Sequence, residues 1–147
     1  IVAKYVNLDG KHNLKRDCMI TELTTHKNDK GTLMALNDFE DVPFVAKRLF
    51  YISNVPNKET RGFHAHRKNQ QYLICLDGRI MVELKWGDSD GATDATIYMM
   101  PGDTIFVDKM TWATQTYYEN AKLLVLCSTE HDESDYIRDW EEYKNEY

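Results

Sequence analysis

Residues 72–86, YLICLDGRIMVELKW, give the clearest indication of the fold class. Residues 72–76 and 79–86 are two runs rich in aliphatic, β-branched and aromatic side chains, a composition that favours β-strands. Asp77 and Gly78 stand between them, and an Asp-Gly pair readily adopts the positive φ angles of a tight hairpin turn. The stretch therefore predicts two antiparallel neighbouring strands joined at Asp77-Gly78.

Similar short runs continue on both sides of this stretch. They occupy residues 45–53, 96–100, 104–107 and 123–128. Turn-forming residues separate them, at 87–91 and at Pro101-Gly102-Asp103. Short strands at this spacing are typical of an all-β sandwich or barrel with antiparallel neighbours.

The end of the chain follows a different period. From Asp132 onward, aromatic and aliphatic side chains recur at steps of three and four residues, while the acidic residues fall between them. That pattern indicates an amphipathic helix. We therefore expect a short C-terminal α-helix, over about residues 132–147, packed on the barrel.

Composition limits the size, partners and compartment of the protein. A chain of 147 residues with 42% hydrophobic residues suits one domain, residues 1–147. Apolar runs such as 123–127 are far shorter than the roughly 20 residues that cross a bilayer, so we expect no membrane segment. The net charge of −6 disfavours nucleic acid as a partner. Cys18, Cys75 and Cys127 fit neither a disulfide framework nor a CxxC site, which favours a reducing cytoplasm.

The chemistry is concentrated in residues 61–67, RGFHAHR. On an extended strand His64 and His66 project to the same face, because side chains two residues apart point the same way. The spacing resembles the first motif of cupins, in which a Glu follows the His-x-His pair and a later His completes a metal site. Gln71 and Ala113 stand at those two positions here. Since catalytic metal sites usually hold three protein ligands, we predict that no metal binds.

A metal-free imidazole pair suits proton transfer, because histidine has an unperturbed pKa of about 6.5. The pair therefore predicts isomerisation or epimerisation beside a carbonyl, with Arg61 and Arg48 as cations that stabilise an enediolate. The alternative is that His64 and His66 are barrel histidines with hydrogen-bonded, purely structural positions.

Several blocks resemble one family specifically. Residues 47–51 (KRLFY), 61–66 (RGFHAH), 124–128 and 132–138 (DESDYIR) are similar to the WxcM-like, cupin-type dTDP-sugar 3,4-ketoisomerases, and the likeness runs from about residue 28 to 143. It implies a cupin jelly-roll barrel with its core at about 28–128. It also implies a homodimer that exchanges N-terminal strands, and a cofactor-independent conversion of dTDP-4-keto-6-deoxyglucose to the 3-keto sugar, in deoxyaminosugar synthesis for surface polysaccharide such as the O-antigen of lipopolysaccharide.

The resemblance also implies residue roles. His64 is the catalytic base, His66 is its partner in a proton relay, and Arg61 lies near the nucleotide-sugar. Two positions depart from the family: Phe50 stands where a Tyr is usual and cannot donate a proton. Lys30 stands where an Arg precedes the glycine, and it lacks the forked geometry that grips a phosphate.

Further candidates for substrate binding are Gln71, Tyr72 and Trp112. Tyr72, Trp112 and Tyr98 offer flat faces to a nucleotide base, although a place in the core is the simpler interpretation for each. Two other functions stay open: a nucleotide-sugar-binding cupin without turnover, suggested by Phe50 and Lys30, and a keto-sugar 3,5-epimerase, which would use the same acid-base equipment.

Overall fold

Two long strands organise the structure, a computed structural model that describes residues 4–5, 19–39, 41–87 and 91–147. The strands are β1 (Lys4–Tyr5), β2 (Met19–Glu22), β3 (Thr24–Asn28), β4 (Gly31–Ala35), β5 (Arg48–Ile52), β6 (Thr60–His66), β7 (Gln71–Lys85), β8 (Ala95–Met99), β9 (Asp103–Val107), β10 (Trp112–Cys127) and β11 (Tyr136–Ile137). The α-helix α1 (Trp140–Glu146) follows a 3-10 turn at Glu133–Asp135. The predicted all-β class with a short C-terminal helix is confirmed.

The long strands β7 and β10 pair with each other over most of their length and have different outer neighbours at their two ends. At one end the strand order is β5-β10-β7-β9-β2-β1, and at the other it is β11-β6-β10-β7-β8. Strands β3 and β4 form a separate two-stranded sheet. Because each long strand pairs with a different set of strands at each of its two ends, β7 and β10 join the two halves of the barrel.

The predicted hairpin at Asp77-Gly78 is wrong. Both apolar runs belong to the single strand β7, and both pair with β10 instead of with each other. Gly78 does adopt a positive φ of 69°, but β10 bulges opposite it, with a register shift between Tyr118 and Lys122. The positive φ of Gly78 therefore bends β7 without interrupting it, at the point where β7 and β10 change direction together. By contrast, the Met100–Asp103 backbone hydrogen bond of 2.9 Å closes the turn expected at Pro101-Gly102. The other predicted turn is only partly visible, since residues 88–90 lie outside the described residues.

Two apolar clusters bury the two faces of strand β7 in its first half. Leu73 and Cys75 face the main core, and Tyr72 and Ile74 face a second cluster. This explains why residues 72–76 read as a continuous apolar run without alternation. The largest buried side chains of the main core are Tyr117, Leu73, Ile80, Leu84, Met99, Ile105, Leu123, Val82 and Val125.

The C-terminal helix is shorter than its periodicity predicts. Tyr136 and Ile137 form β11, which pairs with His66 and Ala65 of β6. Two contacts hold this segment extended: the Asp135 carboxylate accepts the backbone N–H of Lys68 at 2.6 Å, and the Arg67 guanidinium donates to the carbonyl oxygen of Tyr136 at 2.9 Å. Helix α1 begins only at Trp140 and packs Tyr143 on a third apolar cluster. Within the part of the chain that the structure covers, no helix is long and apolar enough to span a membrane.

Candidate active site

A cavity of about 560 Å³ opens into the barrel between strands β5, β6, β7, β10 and β11. Its walls include five residues that the sequence singled out, namely Arg48, Phe50, Arg61, His64 and Gln71. They come from three different strands, and the fold brings them to one cavity although up to 23 residues separate them along the chain. Polar and basic groups inside an otherwise apolar concavity are typical of a small-molecule site.

Strand β6 carries the imidazoles into this wall by a close approach to β10. Gly62 has a φ of 103°, and a Cβ atom there would lie 2.7 Å from the carbonyl oxygen of Ala113. Only glycine fits this position without displacing the backbone of β10. His64, two residues further along β6, is then paired with Ala113 and lines the cavity.

The two imidazoles are neighbours but occupy different environments. Their rings meet edge to face with centroids 5.0 Å apart, as expected for residues on one strand face. His64 is half-buried and lines the cavity, whereas His66 is 6% exposed and lies behind it. Direct contact with a ligand in the cavity is therefore open to His64 and closed to His66.

His66 is held by a buried carboxylate that sequence reasoning did not single out. Its Nδ1 lies 3.0 Å from Oδ2 of Asp135, a side chain that is only 8% exposed. Asp135 also accepts backbone N–H groups from Lys68 at 2.6 Å and Asn69 at 3.3 Å. An ionised carboxylate can only accept hydrogen bonds, so the imidazole nitrogen that faces Asp135 must be the donor. The hydrogen of neutral His66 is therefore on Nδ1. Nε2 of His66 is buried and has no hydrogen-bond partner among the described residues.

Burial keeps both imidazoles neutral. Desolvation, followed by the charge of the neighbouring His64, lowers the pKa of His66 to about 4, although the hydrogen bond to Asp135 opposes the shift. Desolvation likewise lowers the pKa of His64, and the charge of Arg138 adds to the effect, while the backbone of Gly62 and the charge of Glu133 oppose it. A neutral imidazole with a free nitrogen is a proton acceptor, which is the form that a general base requires.

Tyr136 and Arg138 complete the wall, and neither was expected there from the sequence. The ring of Tyr136 lies 5.0 Å from that of His64 and 4.4 Å from that of His66. The guanidinium of Arg138 stacks on the Tyr136 ring at 4.3 Å and binds Glu133 at 2.8 Å. Helical periodicity concealed both residues, because it treated Tyr136 as part of the helix face instead of as the strand partner of His66.

Three guanidinium groups now surround the cavity, those of Arg48, Arg61 and Arg138. Arg48 stacks on the ring of Phe50 at 4.8 Å. This local concentration of positive charge stands in a chain of net charge −6. Glu133 already occupies the fork of Arg138. The forks of Arg48 and Arg61 match the oxygens of phosphates, so the wall suits a ligand that carries phosphate.

The sequence model of the family described as "FdtA: WxcM-like, C-terminal" matches residues 16–147. The chain belongs to this family. A curated relative, the TDP-4-oxo-6-deoxy-alpha-D-glucose-3,4-oxoisomerase of Aneurinibacillus thermoaerophilus, is 32% identical over 118 residues, which is 80% of this chain and 83% of that protein.

Solved structures of WxcM-like relatives share the fold. The sugar 3,4-ketoisomerase QdtA of Thermoanaerobacterium thermosaccharolyticum in complex with TDP is 31% identical, with a TM-score of 0.77, over 88% of this chain and 93% of that one. A histidine-to-asparagine variant of QdtA, in complex with TDP-4-keto-6-deoxyglucose, is 31% identical with the same TM-score over 88% and 92%. The predicted cupin jelly roll and family resemblance are thus confirmed.

Three predicted substrate-binding residues lie elsewhere in this WxcM-like chain. Tyr72 is fully buried on the opposite face of β7 from Gln71, and its hydroxyl is bonded to Thr21 and Thr104. Trp112 packs under α1, with its ring 5.3 Å from that of Trp140. Strand alternation and helix packing therefore place both in apolar clusters, and their assignment to the cavity is wrong.

Lys30 also lies away from the cavity of its own chain. It is exposed at the tip of the β3–β4 hairpin, where its backbone N–H donates to Asn28 Oδ1 at 2.8 Å. The two-stranded sheet that carries it is separate from the barrel strands that line the cavity. Within one chain, the prediction that Lys30 contacts the substrate is not supported.

Gln71 and Ala113 occupy the two positions at which the sequence resemblance to cupins leads one to expect metal ligands. Gln71 lines the cavity with its amide 4.0 Å from the Cys127 sulfur, and Ala113 is the strand partner of His64. Over the described ranges, no three His, Cys, Asp or Glu side chains form a group that could hold a metal ion. The donor set that remains beside the cavity does not fit a catalytic metal.

Proposed function

We propose that this protein is a sugar-nucleotide 3,4-ketoisomerase that interconverts dTDP-4-keto-6-deoxyglucose and a 3-keto-6-deoxyhexose. The observation that carries the proposal is the neutral His64 imidazole in the wall of an arginine-lined cavity. The names of the curated oxoisomerase and of QdtA support the same reaction. They favour ketoisomerisation over the 3,5-epimerase alternative, since both describe the 3,4 reaction.

The first step is removal of the proton at C3 of the sugar by His64. The C3–H electrons form a C3–C4 double bond, and the C4 carbonyl oxygen takes up negative charge. Arg61 and Arg48 stabilise that oxyanion, and an acid that protonates it completes an enediol. Tyr136 is our candidate acid, because its phenol ring lines the cavity 5.0 Å from the His64 ring and Phe50 has no hydroxyl.

The second step reverses the first at the neighbouring carbon. The C3 hydroxyl gives its proton to the tyrosinate, the C3 carbonyl forms, and the His64 imidazolium delivers its proton to C4. Two protons move and the oxidation state of the whole molecule is unchanged. The reaction therefore balances with protein acids and bases alone, and we propose that it uses neither a metal nor another cofactor.

His66 has a supporting role in this scheme. Because it lies behind His64 and Tyr136, it cannot contact the sugar. The Asp135 hydrogen bond fixes its donor nitrogen, which directs the unprotonated Nε2 away from Asp135. We therefore treat His66 as a relay or positioning residue and Asp135 as the residue that sets its tautomer.

Product analysis tests the function. Purified protein incubated with dTDP-4-keto-6-deoxyglucose should yield the 3-keto isomer by NMR, with unchanged configuration at C5. Tight binding without a product would instead support a nucleotide-sugar-binding cupin, and Phe50→Tyr would then show whether the missing hydroxyl is the cause. Inverted stereochemistry at C3 and C5 would support the epimerase.

We also propose a homodimer with exchanged N-terminal strands, working in the reducing cytoplasm in deoxyaminosugar synthesis for surface polysaccharide such as the O-antigen. The β3–β4 sheet supports the exchange, since its residues are mostly exposed and Leu33 is 58% exposed. In such a dimer, Lys30, which is exposed at the tip of this hairpin, is our candidate for a contact with the partner's substrate. Light scattering should report twice the chain mass of 17.2 kDa, and a monomer would contradict the exchange.

A further inference from the structure

Phe63 is an extra residue in strand β6. The ladder between β6 and β10 pairs His64 with Ala113 and Gly62 with Thr114, so Phe63 has no partner of its own in the register. One residue is inserted on one strand between two consecutive residues of the other, which defines a β-bulge. Bulges re-aim side chains and are common beside active sites.

Two features of Phe63 oppose stability. Its φ is +57°, a region that a bulky residue rarely adopts because the backbone is strained there. Its side chain is 54% exposed, so much of its apolar surface gains nothing from burial. A glycine would satisfy the same backbone geometry at lower cost, as it does at the preceding position. Strain and exposure alone do not mark a site, since Phe39 shares both. What distinguishes Phe63 is its place in the cavity wall, where its ring is open to a ligand.

The bulge brings three kinds of group to one wall. Arg61, Phe63 and His64 all line the cavity from the same strand. Regular alternation would send Phe63 and His64 to opposite faces, and the extra residue removes that conflict. The cation, the exposed ring and the imidazole correspond in chemistry to a negatively charged oxygen, a flat heterocycle and an acidic C–H bond.

We infer that Phe63 is the platform on which the base of the nucleotide stacks. The inference rests on the proposed function, because it assumes a nucleotide-linked ligand. Stacking on an aromatic ring uses the π-face that every base has, and it is worth about 1–3 kcal/mol per base on single-stranded nucleic acids. Phe63 therefore supplies affinity for the nucleoside without selecting the base, and selection falls to groups at the edge of the ring.

Calorimetric titration with dTDP tests the platform. Phe63→Ala should weaken dTDP binding by at least about five-fold, the lower limit of that stacking energy, while Phe63→Trp retains it. Pyrophosphate, which carries the phosphates without a base, should bind the wild type and Phe63→Ala equally. In turnover the substitution should raise KM and leave kcat within about two-fold, because stacking is equal in ground and transition states.

Phe39 provides the matched control. It is also an exposed phenylalanine with positive φ, 57% exposed and at 52°, but it does not line the cavity. Phe39→Ala should leave dTDP affinity unchanged. At both positions the glycine variant should be more stable than the alanine variant, because only glycine tolerates positive φ without strain.

Four outcomes would count against the platform. If the wild type binds dTDP and Phe63→Ala binds it with an affinity within two-fold of the wild type, the platform is overturned and the proposed function still stands. If Phe63→Ala loses pyrophosphate binding together with dTDP affinity, Phe63 belongs to phosphate binding. If it loses self-association, measured by light scattering, together with dTDP affinity, Phe63 belongs to an interface between chains. A wild-type protein that does not bind dTDP at all would overturn both the platform and the proposed function.

Discussion

The two histidines of the HAH motif show how residues of one type acquire different roles. Both are neutral because burial lowers their pKa. They differ in access, since His64 lines the cavity and His66 is hydrogen-bonded to Asp135 behind it. Position therefore assigns His64 to the substrate and His66 to its support, before any difference in pKa is considered.

Replacing His64 by Asn should lower kcat by at least about two orders of magnitude, the usual contribution of a general base. Affinity for dTDP should stay within a few-fold, because the phosphates and base bind elsewhere in the wall. Steady-state kinetics and calorimetry measure the two quantities. His66→Asn should cost less turnover, and the double mutant should be non-additive if the pair acts as one unit. Nearly full activity in His64→Asn would mean that the base is misassigned.

Replacing Asp135 by Asn should lower kcat more than it changes KM, because it removes the carboxylate that sets the His66 tautomer. The specific readout is the nitrogen NMR spectrum of His66, which should show the hydrogen on Nδ1 in the wild type and a mixed tautomer in the variant. Asp132→Asn is the control, since Asp132 caps the same turn through Ser134 without contacting His66. An unchanged His66 spectrum with lowered activity would leave Asp135 a purely structural role.

The acid limb of the pH–rate profile should lie below pH 6.5. The base is active only when His64 is neutral, and burial lowers its pKa below that ordinary value. Activity measured as kcat/KM therefore persists to lower pH than a free imidazole allows and falls once His64 is protonated. A limb at or above pH 6.5 would contradict the assignment of a buried His64 as the base.

Much of this wall could be predicted from sequence, and the remainder depended on tertiary structure. His64, Arg61, Arg48 and Phe50 sit in recognisable blocks, so resemblance found them. Asp135 and Tyr136 were hidden because their partner is a strand 69 residues away and local periodicity indicated a helix. Tyr72 and Trp112 were misplaced because an aromatic residue in a strand gives no sign of which face it occupies.

At the scale of elements, the bend shared by β7 and β10 is the feature that local reading missed. Asp-Gly predicts positive φ at both residues, and only Gly78 adopts it. Whether the chain then reverses or only bends depends on the opposing strand. Here the bulge at Glu119 and Asn120, with φ of 60° and 54°, lets β10 follow the bend. Turn chemistry alone therefore predicted the positive φ of Gly78 and gave the wrong topology.

Replacing Gly78 by Ala should destabilise the fold by about 2–4 kcal/mol, because strain at positive φ adds to a backbone collision. The new Cβ would lie 2.5 Å from the Ala121 Cα. Gly91→Ala isolates the strain, since Gly91 has a φ of 86° and open space around it, and should cost about 1 kcal/mol. Chemical denaturation measures both. Equal losses would mean that the close packing of the bend contributes nothing.

For the whole molecule, the buried His66 should make stability depend on pH. Its pKa is about 4 in the fold and 6.5 when unfolded, so between these values the unfolded chain binds the extra proton. Stability attributable to this group is therefore complete above pH 6.5 and falls by up to about 3 kcal/mol as the pH drops toward 4. Denaturation of wild type and His66→Asn at several pH values measures the difference. Parallel curves for the two proteins would contradict a neutral, buried His66.

Hydrogen exchange at the sugar ring tests the central claim most directly. Wild-type protein incubated with dTDP-4-keto-6-deoxyglucose in heavy water should introduce deuterium at C3 of recovered substrate and at C4 of the 3-keto product, because His64 exchanges its proton with solvent between the two steps. His64→Asn, with dTDP binding intact, should introduce neither. A folded, dTDP-binding wild type that leaves C3 and C4 fully protonated and forms no isomer would contradict the account.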